Sequence, residues 1–110
     1  MAIPSYCFER VKSNLKAIEQ LKGYRDLINE YSKTLLDIKP VINGLTDEIK
    51  TFDRNNLYQV NGKDALELFA DNLEVAKKNN NTHELITGID SLAHEFIRAA
   101  LEEFHKCAGG

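Results

Sequence analysis

Residues 5–38 read SYCFERVKSNLKAIEQLKGYRDLINEYSKTLLDI, and the placing of their apolar side chains decides the fold class. Phe8, Val11, Leu15, Ile18, Leu21, Tyr24, Ile28, Tyr31, Leu35 and Ile38 recur at steps of three or four, the spacing that gathers side chains on one face of a helix. The segment is predicted as one long amphipathic helix, about 50 Å in length if unbroken, or as two helices joined near Gly23. The step from Ile18 to Leu21 to Tyr24 is three plus three, where the rest of the stripe mixes threes and fours. A shortened step beside a glycine predicts a rotation of the stripe or a kink. The remaining elements are then expected to cover the stripe, with one half packed inside and Tyr24 and Tyr31 looking toward a partner.

Working outward, Pro40 is expected to end this helix at or before Lys39, because the residue preceding a proline is driven from the α region. A second helix over about 41–54 would bury Val41, Ile42, Leu45, Ile49 and Phe52. Residues 53–62 carry no helical stripe and read as the longest loop, closed by the Asn61-Gly62 turn. Within it Asp53-x-Asn55 resembles the opening of a calcium loop, but Leu57 and Tyr58 stand where the next ligand and the glycine belong. A third helix, about 63–78, places Leu66, Phe69, Leu73 and Ala76 inward. Asn81 with Glu84 three residues on resembles a capping box that starts a fourth helix, about 82–106, whose inward stripe is Leu85, Ile89, Leu92, Phe96, Ala100 and Phe104. Four helices with short connections predict an all-α fold, an antiparallel four-helix bundle forming a single domain over 1–110.

Size and charge bound the function. A chain of 110 residues holds one core and leaves no room for a second, regulatory unit. A formal charge of −3 argues against broad nucleic-acid binding, which depends on surplus Lys and Arg to release counterions. No apolar run reaches the roughly 18 residues that span a bilayer, and the N-terminus lacks a basic segment followed by an apolar one. The expected compartment is therefore the cytoplasm, with secretion of a processed chain as the alternative. Cys7 and Cys107 lie near the two ends of the sequence. With an even number of antiparallel helices those ends meet at one pole, so the pair forms either a disulfide or two reduced thiols. Asn80-Asn81-Thr82 fits a glycosylation acceptor, in keeping with the secreted alternative.

Candidate chemistry is sparse. Residues 5–38 hold six Lys/Arg against five Asp/Glu, and residues 63–107 hold five against nine. Helices three and four thus form an acidic half, and Glu67, Asp71 and Glu74 are candidate contacts for a basic protein partner. Tyr24 and Tyr31, one heptad apart, are candidate contacts of the long helix, since aromatic side chains concentrate in interfaces. The alternative is that both edge the core. His83, His94 and His105 recur every eleven residues on one side of the last helix, about 16 Å apart, too far to share an ion. Glu102-x-x-His105 has the spacing of a bundle di-iron motif, but the second such motif that a site needs is missing. No metal site and no cofactor is expected.

Arg98 and His105, near the end of an all-α chain of this length, resemble the Arg–His signature of HEPN-type ribonucleases, with Ala99 standing where a polar residue commonly follows the Arg. That resemblance implies a dimer that cleaves RNA without a metal, His moving protons and Arg holding phosphate. The leading expectation is different: a non-enzymatic, small acidic helical protein of inhibitor, immunity-protein, antitoxin or chaperone type that binds another protein or itself as a homodimer. A bundle with an internal small-molecule cavity is the third reading.

Overall fold

The structure is a computed structural model that describes the backbone of residues 5–34, 37–52, 57, 59–79 and 81–108. The Asp53-x-Asn55 segment and Asn80 fall outside the described residues, as does the side chain of Cys7. Four helices account for nearly all of it: α1 Ser5–Thr34, α2 Lys39–Ile49, α3 Ala65–Asn79 and α4 Thr82–Ala108. The fold is all-α apart from one small hairpin between α2 and α3. α1 is helical without interruption through Gly23; Leu35 of the expected stripe lies outside the described residues, and Asp37 and Ile38 are not part of the helix.

Local chemistry explains the boundaries. Pro40 occupies the first turn of α2, where its missing N–H costs nothing. Asp37 Oδ1 accepts the Lys39 N–H at 3.0 Å beside it. Asn43-Gly44 lies inside α2, although the pair weakens helices, because Tyr24 of α1 leans over this position. A Cβ built on Gly44 would stand 3.3 Å from the tyrosine hydroxyl oxygen. α3 is capped by Asp64, just before its first residue, whose Oδ1 accepts the Glu67 N–H at 3.0 Å. α4 starts on the expected Asn81 cap, Oδ1 accepting from Glu84 N at 3.1 Å; the Glu84 carboxylate takes the Asn81 side-chain Nδ2 at 3.3 Å, while the Asn81 backbone N–H donates to Ala76 O.

The Asn-Gly turn is a tighter structure than a loop closure. Asn61 and Gly62 both have positive φ, 55° and 81°, as a two-residue type I′ turn requires. The flanking pairs β1 Gln59–Val60 and β2 Lys63–Asp64 form an antiparallel ladder, with Gln59 opposite Asp64 and Val60 opposite Lys63.

α1 and α4 make the most extensive helix contact in the molecule. Their directions oppose, since Arg10 meets Glu103 at 3.0 Å and Arg25 comes within 2.8 Å of Asp90. These helices are about 45 and 40 Å long, whereas α2 and α3 reach only about 16 and 22 Å. The core accordingly gathers Ala17, Leu21 and Ile28 of α1, the expected stripes of α2 and α3, and Leu85, Ile89, Leu92 and Phe96 of α4. Phe52 caps its lower end, edge-on to Phe96 at 5.5 Å. The radius of gyration, 15.3 Å, exceeds the roughly 13 Å of a compact chain this long, because the helix pair outruns its cover.

Two expectations about burial are corrected. Phe8 and Leu15 were expected on the buried stripe of α1 but are exposed, and Asn14 and Ala17 are buried in their place. Phe104 of α4 is likewise exposed, and Glu103 is buried. Replacing Asp64 by Ala is expected to lower stability by about 1 kcal/mol through loss of the α3 cap, read as a lower urea midpoint with an unchanged denaturant slope.

Candidate functional site

The rotation of the α1 stripe generates the site. At about 100° per residue, Leu21, Tyr24, Ile28 and Tyr31 fall on one side of the helix, and Phe8, Val11 and Leu15 fall well over 90° from the centre of that set, while Ile18 lies between the two and packs against the core. In an uninterrupted helix both sets cannot face α2 and α3. The upper set does, so the lower set turns to the far face of the α1–α4 pair. α4 supplies the matching surface. Its segment Phe96-Ile97-Arg98-Ala99-Ala100-Leu101 is apolar around more than half the helix, and Ile97, Leu101 and Phe104 emerge on the same far face.

Phe8, Leu15, Ile97, Leu101 and Phe104 are 41–56% exposed. Val11, Leu15, Ile97, Ala100, Leu101 and Phe104 enclose a groove of about 240 Å³ lined by apolar side chains alone. Beneath it the two helices are joined by polar groups. The Glu103 carboxylate is 6% exposed and accepts from Arg10 Nη1 at 3.0 Å. Asn14, one turn of α1 beyond Arg10, is also buried, and its Oδ1 has no hydrogen-bond partner among the described residues. The second cross-helix pair, Arg25 with Asp90, is more open. Arg25 Nε lies at ion-pair distance from Oδ1, yet its N–H is not aligned for a hydrogen bond.

The structure distributes the residues singled out in the sequence. Tyr24 and Tyr31 are half-buried and pack against the core, the opposite of an outward-looking pair; it is the Phe8–Leu15 half of α1 that looks out. Burial, then the charges of Glu48 and Asp47, raise the Tyr24 hydroxyl above its ordinary value near 10. Glu67, Asp71 and Glu74 are exposed along α3. Asp71 binds the Lys63 ammonium at 2.8 Å and, by that hydrogen bond first and its charge second, raises the lysine's pKa. Lys77 and Lys78 follow on the same helix, so the acidic side is interleaved with cations. His83, His94 and His105 are all exposed.

Arg98 is clamped by two carboxylates of its own helix, Glu95 at 2.6 Å and Glu102 at 2.5 Å. His105 lies two turns on, its ring edge-on to Phe104. A phosphate reaching Arg98 would have to displace both carboxylates. A second groove of about 450 Å³ runs between α3 and α4, floored by Phe69 and Leu92 and edged by Asn72, Thr87, Ser91, Glu84 and Glu95. Both carboxylates are already engaged there, Glu84 with Asn81 and Glu95 with Arg98.

Compared with protein-family models, with curated proteins and with solved structures, the chain matches none.

Two outcomes test this geometry. Arg10→Met is expected to cost about 2 kcal/mol by urea denaturation, because it strips a charged partner from a buried carboxylate, whereas Arg25→Met at the open pair costs less than about 0.5 kcal/mol. Tyr24 ionises more readily in the unfolded chain, where its pKa is lower. Its contribution is therefore complete below pH ~10 and is lost as pH rises through the folded value. The stability of the parent chain should thus fall toward that of Tyr24→Phe above pH ~10.

Proposed function

We propose that this chain is a non-enzymatic helical protein, its helices packed as an antiparallel four-helix bundle, that acts by binding a protein chain through the far face of α1 and α4. The observation that supports this is the apolar face itself: five large side chains, each roughly half exposed, four of which line one groove across two helices. Scattered exposed apolar residues are ordinary, whereas a patch of a few hundred Å², the largest that a monomer usually carries, is often functional. Inhibitors, immunity proteins, antitoxins and chaperones all act by such contacts. This reading moves the principal contact from acidic α3, where Asp71 is paired within the chain, to the apolar end of the long helices. Affinity capture with the parent chain and with Leu15→Glu/Leu101→Glu tests it. The expected result is a protein retained by the parent and lost from the variant. No retained protein, together with a strict monomer by light scattering, overturns it.

We also infer a covalent tie at the same pole. Cys107, at the end of α4, is disulfide-bonded, and Cys7 is the other cysteine of the sequence. A Cys7–Cys107 bridge closes nearly the whole chain into one loop, worth about 4–5 kcal/mol in the chain-entropy account. It favours an oxidising compartment, which supports the secreted alternative. Thiol titration of the native protein without reductant should find no reactive thiol, and Cys107→Ser should lower the unfolding temperature. Two titratable thiols reject the bridge.

A second reading, a small-molecule site between α3 and α4, is supported by the size of that groove, within the roughly 300–1,000 Å³ of ligand pockets.

A further inference from the structure

We infer that the occupant of the far face is a second copy of this chain, related by a two-fold axis running along the helices, so that α1 of each copy lies on α4 of the other. This rests on the reading of that face as an interaction surface and adds the identity of the partner. Three observations support it. The first is area. Five side chains at 41–56% exposure present roughly 450 Å² of apolar surface, taking about 200 Å² for each free side chain. Interfaces are about 60% apolar, so the complete contact buries roughly 750 Å² per copy. A standard-size interface needs about 800 Å².

The second observation is form. The face consists of two antiparallel stripes, Phe8–Val11–Leu15 and Ile97–Leu101–Phe104, with a groove between them. A copy of the same face supplies stripes of matching spacing, and stacking two antiparallel helix pairs yields four helices around one apolar centre. The third is charge. Lys12 and Glu19 are exposed along the outer edge of the α1 stripe, and Arg98 and Glu102 line the outer edge of the α4 stripe. The pairing of Arg10 with Glu103 sets Lys12 within a residue of the height of Glu102, and Glu19 within a turn of Arg98. With the axis along the helices, Lys12 of one copy meets Glu102 of the other, and Glu19 meets Arg98. Lys12 and Glu19 thereby extend the Glu95–Arg98–Glu102–Lys106 chain of ion pairs that the other copy's α4 already holds.

The test is sedimentation velocity and light scattering of the full chain from micromolar to millimolar concentration. The expected mass is twice 12.5 kDa. Leu101→Glu should weaken the dimer at least about 100-fold with the helical circular dichroism unchanged, since Leu101 is the most exposed residue of the face. Lys12→Glu should weaken it about tenfold, and Lys12→Glu with Glu102→Lys should recover most of that loss. The rescue keeps the test informative if Leu101→Glu fails to fold. A monomer at millimolar concentration, or a dimer indifferent to both Leu101→Glu and Lys12→Glu, overturns the second copy. If the chain is monomeric yet Leu15→Glu/Leu101→Glu loses a captured protein, the self-association fails and the interaction surface stands. If the capture is also empty, both fail.

Discussion

One constraint governs this molecule: a continuous helix carries a single rigid phase. Over residues 18–24 the apolar positions of α1 advance three and three, and nothing in the backbone absorbs the difference, because α1 stays helical through Gly23. The apolar surface must therefore divide between two faces. The upper half buries Leu21 and Ile28 under α2 and α3, while the lower half presents Phe8 and Leu15 where no described element lies over them. Had the helix broken at Gly23, the lower segment would have been free to re-aim its stripe inward. The glycine there is not needed for close packing, as nothing lies within 4 Å of the place a Cβ would take.

The polar seam below the core complements that division. With Asn14 and Glu103 buried where the sequence pattern expects Leu15 and Phe104, the lower part of the α1–α4 contact combines small buried side chains, Ala17, Ala99 and Ala100, with the Arg10–Glu103 ion pair. Polar contacts are directional, so this seam fixes which residues of the two helices stand level. The open pair of Arg25 and Asp90 lies at a matching height further along, so the register is marked at two places about 20 Å apart.

Most of the architecture is legible in the sequence, and the exceptions share a cause. The stripes of α2 and α3 read correctly because each helix is short and has one buried face, carrying four apolar residues in each case. The start of α4 read correctly because Asn81 and Glu84 act locally. The lower halves of α1 and α4 misread because spacing reports that apolar residues share a side, not which side is covered. That depends on the lengths of α2 and α3, a tertiary property. One signal was available: Phe96-Ile97-Ala99-Ala100-Leu101 is too broad an apolar arc for a single seam. The Asn61-Gly62 pair was read as the close of a loop, and its strands were missed because two residues on each side are too few for an alternating pattern.

The mismatch in helix lengths also has a consequence for motion. Where α2 and α3 lie over the long pair, opening any helix exposes shared core, and the local cost approaches that of global unfolding. Beyond Phe96 and Ala17 the two long helices lean chiefly on each other, so separating them uncovers far less apolar surface. Amide hydrogens at that end should exchange through local fraying of the helices, the inferred Cys7–Cys107 tie limiting how far the two can part. The molecule is in this sense graded along its axis, from an end where four helices share a core to an end where two helices lean on each other.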